Sequence, residues 1–311
     1  MIQRLILPLL LQLLFFLSET SSSFIIFPNA ITQHHHFFNT HYYFSIKQHR
    51  RQQNYYQQLK MTPSNQQKSE FIASWEPEMA RHIFDNYKEQ TTSPFIVAVV
   101  GIPGSGKSSS SEILSRLLQE MITKTHHDAA VLVMPMDGYH LPMSTLKSKP
   151  NSKDLIYRRG APDTFDPHSL LNDLKQIKNI NESIVPNKGD SHNNVVEIPG
   201  FDHAIGDPQP STYTFHRKQH DIVICEGLYL LHQDENIGWS KDIQNQFDLT
   251  IFINANLDTC IERLKVRNKC IPGYTSEEID IRCDVVDRSN AMIVLESKDR
   301  AMYVVDSIVA S

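Results

Sequence analysis

Short apolar runs alternate with longer amphipathic segments along residues 70–311. The short runs, several of them rich in β-branched residues, predict buried strands, and apolar residues spaced three or four positions apart predict helices. The predicted strands are 95–100, 129–134, 221–225, 249–253 and 302–305, and the predicted helices are 74–86, one that starts near 107, 168–180, 257–268 and one that opens with a capping box at Thr275 and Glu278. Because strands alternate with helices, we expect an α/β fold in three layers, a parallel sheet with helices on both faces. Residues 181–197, rich in Asn, Asp, Lys and Gly, predict a flexible insertion.

The segment between the first predicted strand and the next helix matches the phosphate-binding pattern G-x-x-x-x-G-K-[ST] over residues 101–108. Glycines allow successive backbone N–H groups to surround an anion, and the helix N-terminus adds partial positive charge. Lys107 is predicted to reach the β- and γ-phosphates of ATP, and the Ser108 hydroxyl to bind Mg²⁺. The residues predicted to bind the nucleotide are Gly101, Ile102, Pro103, Gly104, Ser105, Gly106, Lys107, Ser108 and Ser109. The alternative is a glycine turn that precedes Lys-Ser by chance.

Two acidic residues directly follow predicted strands, at the sheet edge where ligands bind in parallel α/β folds. Glu226 follows the third predicted strand, where P-loop proteins hold Mg²⁺ directly or through water. A surface acid at a strand end is the alternative. Asp137 follows the second predicted strand, from which its carboxylate could orient or deprotonate an attacking hydroxyl. For Asp137 the alternative is an Asx turn in an Asp-Gly pair.

Further sequence blocks occur in a fixed order after the glycine loop. They are 136–141, 158–167, 198–203, 224–231 and the predicted helix that carries Arg263 and Arg267. Together with the loop they resemble the phosphoribulokinase, uridine kinase and pantothenate kinase group of small-molecule kinases, over about residues 70–308. The resemblance implies a P-loop NTPase-type fold with a small helical lid. It also implies that Asp137 is the catalytic base, that Glu226 is the acid of the E-G block, and that Arg263 and Arg267 close on the nucleotide phosphates as part of the lid.

The two lid arginines are four residues apart, so both guanidinium groups lie on one face of a helix. Bidentate donors that move onto developing phosphate charge are what phosphoryl transfer requires. The alternative from the residues alone is a solvated helix face on which Glu262 or neighbouring acids pair with Arg263 and Arg267.

Other polar residues are candidates for contacts with the acceptor. Arg158 and Arg159, beside a glycine, suggest an anion contact to the substrate or to ATP. Asp202 and His203 are candidates to hydrogen-bond the acceptor, and a turn around residues 199–200 is the alternative. The blocks that contain these residues resemble uncharacterised bacterial and fungal members more than uridine kinases or phosphoribulokinase, so the acceptor stays open.

The first 69 residues differ in composition from the rest of the chain. Residues 1–23 combine a basic start, an apolar run over 5–17 and a small polar end, which predicts a signal peptide whose apolar run is short for a membrane span. Residues 24–69 contain no Asp or Glu and are typical of an organellar transit peptide or a low-complexity segment. We expect a secretory route to a plastid or another organelle. Secretion, or membrane anchoring by residues 5–17, is the alternative.

Charge and cysteine usage restrict the function of residues 70–311. The first 69 residues hold six of the 30 Lys and Arg but one of the 35 Asp and Glu, which leaves 24 basic against 34 acidic residues. An acidic domain is a poor binder of nucleic acid. A segment of this length forms one domain. The cysteines lack metal-site spacing and indicate reduced thiols; they are Cys225, Cys260, Cys270 and Cys283.

These observations predict an ATP- and Mg²⁺-dependent kinase domain over 70–311 that phosphorylates a hydroxyl of a small metabolite such as a nucleoside, a sugar or a pantothenate-like compound. The expected partner is that acceptor, without nucleic acid and without stable membrane insertion once the presequence is removed. Both a monomer and a homodimer are compatible with the sequence. The alternative function is a regulatory P-loop NTPase or nucleotide-binding protein that has no small-molecule acceptor.

Overall fold

The computed structural model describes residues 74–90, 94–125, 129–179, 195–202, 204–269 and 274–307. The chain divides into two units, Met1–Lys68 and Ser69–Ser311, and every described residue belongs to the second. The predicted signal peptide and transit-like segment lie outside the described residues, as do 181–194, His203 and Cys270. Among the residues that are described, none forms a helix of the length and apolar character needed to cross a bilayer.

A five-stranded parallel sheet forms the centre of the second unit. The strands β1 to β7 are Phe95–Gly101, Ala130–Pro135, Val195–Asp202, Asp207–His216, His220–Gly227, Leu249–Asn254 and Tyr303–Asp306. The sheet has the spatial order β2-β5-β1-β6-β7, while β3 and β4 form a separate antiparallel hairpin. The strand that precedes the glycine loop, β1, is therefore central, and the loop emerges at the carboxyl edge between β5 and β6.

Helices cover both faces of the sheet and connect its strands. The helices α1 to α9 are Glu76–Glu89, Lys107–Thr123, Met143–Ser148, Ser152–Tyr157, Pro167–Asn179, Lys241–Gln244, Leu257–Asn268, Ser276–Arg282 and Arg288–Leu295. A short 3-10 turn, Met136–Tyr139, follows β2, and a π-helical turn, Cys283–Asp287, joins α8 to α9. The predicted capping box is present at the start of α8, because the Thr275 hydroxyl accepts from the Glu278 amide and the Glu278 carboxylate accepts from the Thr275 amide.

Successive residues of β1 face two different helical layers. Val97 and Val99 belong to one apolar cluster, and Ile96, Ala98 and Val100 belong to the other. The first cluster includes Met79 and Ile83 of α1 with Leu114, Leu118 and Ile122 of α2, and the second includes Leu170, Leu174 and Ile177 of α5 with Ala291 and Val294 of α9. A strand buried on both faces has a continuous apolar sequence, which is why β1 could be identified from the sequence. The predicted three-layer α/β class is confirmed.

The hairpin of β3 and β4 is the main element that the hydrophobic pattern did not predict. The predicted flexible insertion over 181–197 is wrong for residues 195–197, which form the start of β3. Proline lacks the N–H group that a strand ladder uses, and Pro199 lies in β3 while Pro208 lies in β4, so the sequence of the hairpin does not have the pattern of regular strands. The hairpin nevertheless reaches the core, since Ile198 and Phe215 are fully buried.

Candidate active site

The glycine loop has the backbone conformation that a phosphate cradle requires. Gly104 and Gly106 have φ angles of 79° and 90°, in the left-handed region that glycine tolerates best. A Cβ atom on Gly104 would lie 2.7 Å from the carbonyl oxygen of Cys260, and one on Gly101 would lie 3.2 Å from that of Ile253. Larger residues at these two positions would push the loop away from β6 and α7. The loop therefore packs against its neighbours through its glycines.

The helix α2 begins at Lys107, directly after the loop, and has no acidic residue in its first turn. Its N-terminal amides and partial positive charge therefore face the loop without a competing carboxylate from that turn. Lys107 is half-buried, and the side chains of Ser108 and Ser109 are exposed. The other predicted loop members surround this N-terminus, with Ile102 and Ser105 buried and Pro103 half-buried.

Glu226 is a buried acid beside the glycine loop. It lies in β5, in register with Val99 of β1 and with Pro135 of β2, so it lies near the middle of the sheet edge. Its Oε1 accepts a hydrogen bond of 3.0 Å from the Ser108 hydroxyl, whereas its Oε2 is buried without a hydrogen-bond partner among the described residues. Burial raises the pKa of Glu226 above its ordinary value, although the nearby charge of Lys107 lowers it. Because a buried carboxylate oxygen without a partner is unfavourable, this oxygen favours a bound cation as its partner.

This oxygen set suits Mg²⁺ rather than a softer metal. Mg²⁺ is usually bound by one or two protein oxygens, with water and substrate phosphates as its other ligands. Ser108 and Glu226 provide such a pair next to the phosphate loop. Within the described ranges there is no group of three or more His, Cys, Asp or Glu residues that could hold a metal by themselves. The residues present therefore fit a metal that arrives with a nucleotide.

Asp137 lies on the 3-10 turn that follows β2, at the same carboxyl edge of the sheet as the glycine loop. Two glycines bring this turn close to its neighbours: a Cβ on Gly227 would overlap Met136, and a Cβ on Gly138 would overlap the Pro199 carbonyl of β3. The negative charge of Asp137 contributes to the raised pKa of Glu226, which places the two carboxylates within electrostatic reach. No described residue donates a hydrogen bond to the Asp137 carboxylate; its side chain is half-buried. The side chain is available to a ligand.

The predicted lid arginines lie on α7, whose surface borders the glycine loop. Arg263 is half-buried, with its guanidinium 3.5 Å from the Gly104 carbonyl oxygen, and Arg267 is exposed one turn later. Glu262, the predicted alternative partner, instead pairs with Lys265 at 2.9 Å. A small apolar cluster joins α7 to α8 and is separate from the two main clusters; it consists of Ile261, Leu264, Ile279 and Cys283. The two helices thus form a small unit beside the phosphate loop.

Arg158 is held by carboxylates of its own region. Its Nε contacts Asp154 at 2.6 Å, and its two terminal nitrogens bind the two oxygens of Asp163. The hydrogen bond to Asp163 raises the pKa of Arg158, and the same bond lowers the pKa of Asp163. These contacts occupy the N–H groups with which the guanidinium would bind a bidentate ligand.

Arg159 joins two chain segments that are distant in sequence. Its NH2 group lies 2.8 Å from Asp207 and 3.1 Å from the Leu141 carbonyl oxygen, and its NH1 group binds the Gly206 carbonyl oxygen at the tip of the hairpin. Asp202 lies at the same tip, where its carboxylate accepts from the amides of residues 204 and 205 at 2.8 and 3.2 Å. Arg159 and Asp202 are therefore both hydrogen-bonded within the protein. Together with the hairpin they form a wall beside the Asp137 turn, the acceptor wall.

Tyr213 of β4 is a site residue that the sequence did not indicate. It pairs with Ile198 in the hairpin and packs against the main core. Burial and then the charge of Glu226 raise the pKa of Tyr213, so its ring lies near the Glu226 carboxylate. Only the contact between the hairpin and the sheet identifies Tyr213, and no local sequence motif predicts that contact.

The sequence comparison identifies the family. Residues 96–309 match the Phosphoribulokinase / Uridine kinase family, and the chain belongs to that family. The pantothenate kinase of Streptococcus pneumoniae strain Hungary19A-6 is 31% identical over 171 residues, which is 55% of this chain and 48% of that relative. The chain therefore aligns with about half the length of the curated relatives it matches.

Solved structures share the fold. A candidate fructose transport system kinase from Silicibacter sp. TM1040 has a TM-score of 0.61 at 24% identity, covering 75% of this chain and 100% of the other. A candidate P-loop kinase with a circular permutation, from Saccharomyces cerevisiae, has a TM-score of 0.60 at 19% identity, covering 74% of this chain and 98% of the other. At such identities these similarities show the P-loop fold and leave the acceptor open.

Proposed function

We propose that this member of the Phosphoribulokinase / Uridine kinase family transfers the γ-phosphate of ATP to a hydroxyl of a small metabolite. The observation that carries the proposal is the 3.0 Å hydrogen bond between Ser108 and Glu226. It joins the first turn of α2 to the end of β5, at the edge of the sheet where Asp137 also lies. Phosphoryl transfer needs a phosphate cradle, a cation site and a group that handles the acceptor proton, and residues suited to each of these roles lie at this edge.

The glycine loop and Lys107 would bind the triphosphate. Backbone amides at the start of α2 surround the phosphates, and Lys107 offsets charge on the β- and γ-phosphates. Arg263, which already contacts the Gly104 carbonyl oxygen, and Arg267 one turn later would donate to phosphate oxygens as negative charge develops in the transition state. Closure of α7 over the bound phosphates would exclude water from them.

Ser108 and Glu226 would hold Mg²⁺. When bound, Mg²⁺ neutralises phosphate charge and helps to fix the geometry of the phosphates. Binding would also provide a partner for the buried Glu226 Oε2. This role would account for the burial of Glu226 with one oxygen unpaired.

Asp137 would orient the acceptor hydroxyl and take its proton. Its carboxylate lies within electrostatic reach of Glu226 and has no hydrogen-bond donor among the described residues. A positioned general base contributes about 10²- to 10⁴-fold to the rate. The 3-10 turn is fixed between β3 and Gly227, which supports the precise placement that in-line transfer requires.

The acceptor would bind beside the Asp137 turn, against the wall that the β3–β4 hairpin forms with it. The similarity to pantothenate kinase supports a hydroxylated metabolite as the acceptor. The proposed acceptor classes are nucleosides, sugars and pantothenate-like compounds. The Arg158 and Arg159 pairs with neighbouring carboxylates support a role in shaping this wall, and the turn made by Asp202 does the same. His203, which lies outside the described residues, remains a proposed acceptor contact.

The test is a screen of the purified chain for ATP consumption against a panel of hydroxylated metabolites with Mg²⁺. We expect acceptor-dependent ADP release with at least one class of compound, and release slower by about 10²-fold or more from Asp137→Asn protein that still binds ATP. Saturable ATP binding without acceptor-dependent turnover across the panel would favour the regulatory NTPase and contradict the kinase proposal.

We also infer that residues 1–69 direct the chain through the secretory route to a plastid or another organelle. Support comes from the apolar run over 5–17 and the absence of Asp and Glu from 24–69. Residues 1–70 fused to a fluorescent reporter should accumulate in an internal compartment. A diffuse cytosolic signal would contradict this inference, and secretion into the medium would favour its alternative.

A further inference from the structure

Arg282, at the end of α8, binds the backbone of the loop that carries the Arg158–Arg159 pair. Its NH1 donates to the Tyr157 carbonyl oxygen at 2.8 Å, and its NH2 donates to the Arg159 carbonyl oxygen at 2.9 Å. Both acceptors lie at the end of α4, more than 120 residues away in sequence. A guanidinium that bridges two carbonyls fixes both the distance and the orientation between its helix and the loop.

The same loop is fixed to the hairpin by the side chain of Arg159. Asp207 accepts from Arg159 at 2.8 Å and also accepts from the Met143 amide at 2.8 Å. The guanidinium lies 5.6 Å from the centre of the Phe201 ring, and the side chain of Arg159 is 11% exposed. A buried charge paired in this way is strongly resistant to separation from its partner.

The hairpin in turn contacts the turn that carries Asp137. The Pro199 carbonyl lies against Gly138, so closely that no side chain fits between them. The His140 ring lies 4.7 Å from the Phe201 ring, and its Nδ1 is 2.8 Å from the Asp137 carbonyl oxygen. Movement of the hairpin would therefore move the turn.

The other end of this series of contacts is the glycine loop. The apolar cluster of Ile261, Leu264, Ile279 and Cys283 joins α8 to α7, and Arg263 of α7 contacts the Gly104 carbonyl oxygen. The contacts thus run without a gap from the glycine loop through α7, α8, Arg282 and Arg159 to the hairpin and Asp137.

From this continuity we propose that Arg282 is a positioning residue through which nucleotide binding at the glycine loop orders the acceptor wall, so that nucleotide and acceptor bind cooperatively. The proposal rests on the proposed kinase function for the identity of the two ligands. Arg282 touches neither of them; it acts by holding the loop at residues 157–159 to α8. Couplings of this kind change affinity by about 5- to 150-fold, and the effect is reciprocal between the two ligands.

The experiment compares amide hydrogen exchange in β3 and β4 with and without a non-hydrolysable ATP analogue and Mg²⁺. The variants are Arg282→Gln, which removes the bridge, and Arg282→Lys, which keeps the charge but not the two-pronged donor. The matched control is Arg288→Gln on the neighbouring helix α9, because Arg288 pairs only with the surface acids Asp258 and Asp284 among the described residues.

In the wild type and in Arg288→Gln, the analogue should slow exchange in the hairpin by about fivefold or more. In Arg282→Gln the analogue should still bind but leave hairpin exchange unchanged, and Arg282→Lys should lie between them. If Arg282→Gln does not fold, the Lys variant decides: wild-type protection there contradicts the proposal. Once the acceptor is known, Arg282→Gln should raise its KM about tenfold with kcat less affected.

Wild-type protein that binds the analogue without slower hairpin exchange would overturn the cooperative coupling while leaving the kinase function intact. Equal protection in Arg282→Gln and wild type, or equal loss in Arg288→Gln, would also overturn it. Wild-type protein that does not bind the analogue at all would overturn the proposed function, and the coupling with it.

Discussion

In the proposed function the site has a nucleotide half and an acceptor half, and the two halves are built in different ways. The nucleotide half is a continuous segment, residues 101–109, at the end of the central strand, with Glu226 from the adjacent strand. The acceptor half is assembled from the Asp137 turn, the loop around Arg159 and a hairpin that does not belong to the main sheet.

The difference follows from where the contacts of each half come from. Glycines and a helix N-terminus determine the nucleotide half locally, and a parallel sheet positions it. Ion pairs and close backbone contacts between distant segments determine the acceptor half. One half can therefore stay constant among related proteins while the other is rebuilt for a new acceptor.

The largest expected effect is on the nucleotide half alone. Lys107→Ala removes the positive charge that the phosphate loop supplies, so Mg-ATP binding should weaken by roughly 2–5 kcal/mol, about 30-fold or more. Titration calorimetry would measure the affinity, and the melting temperature should change little because Lys107 is only half-buried. Unchanged ATP affinity would show that these residues are an ordinary glycine turn.

Gly138→Ala should disrupt the acceptor half and leave the nucleotide half unchanged. An added methyl group would overlap the Pro199 carbonyl, and such overpacking destabilises by about 1–3 kcal/mol. Gly138→Ala should lower the melting temperature and acceptor-dependent turnover while ATP affinity stays near wild type. The control is Gly206→Ala, whose methyl group meets open space and whose penalty is the left-handed backbone alone, about 1–2 kcal/mol. An equal loss of turnover in both variants would argue against the contact.

Glu226→Gln should weaken Mg-ATP binding while it raises the stability of the protein. Burial raises the pKa of Glu226 above its ordinary value of 4.5, so the folded state disfavours the charged form. This acid therefore costs stability as the pH rises from 4.5 through its raised pKa, and that cost persists at neutral pH. Without Mg²⁺ the Gln variant should melt at a higher temperature at pH 7, by about 2–4 °C for each 1 kcal/mol relieved.

The gain should disappear near pH 4, where Glu226 is protonated in both states. Mg-ATP binding should weaken in the same variant. A variant that melts lower than wild type at pH 7, in the absence of metal, would show that Glu226 is primarily a structural residue.

The smallest effect is expected from removing residues 1–69. All predicted blocks lie beyond them, and residues from Ser69 onward form a separate unit. The shortened chain should bind Mg-ATP as tightly as the full-length chain, within about twofold, because the nucleotide contacts are unchanged. A loss of binding measured by calorimetry would show that the first unit contributes to the site.

The sequence was sufficient for the elements whose signals are local. The strand at 95–100, the helix at 257–268 and the capping box at Thr275 all lie where the pattern predicts them, since each depends on neighbouring residues. It was also sufficient to place Asp137 and Glu226 at the carboxyl edge, because each was predicted to follow a strand; β2 is in fact a half-buried edge strand, and Glu226 is the last residue but one of β5.

Long-range contacts account for what the sequence did not indicate. Arg158 was predicted to contact an anion, and the bond pattern that pairs it with Asp163 is visible only in three dimensions. Asp207, which accepts from Arg159, lies 48 positions further along the chain in a hairpin hidden by its prolines. Tyr213 approaches Glu226 only because that hairpin folds back over the sheet.

The most direct test of the account is the Asp137→Asn variant, with ATP affinity and acceptor-dependent turnover measured on the same preparation. The amide keeps the shape of the side chain but cannot accept the hydroxyl proton. We predict a fall in kcat of about 10²- to 10⁴-fold with ATP affinity almost unchanged, because the carboxylate acts on the acceptor and not on the nucleotide. A collapse of ATP affinity, with normal turnover of the bound complex, would make Asp137 a nucleotide ligand and contradict the division of the site into two halves.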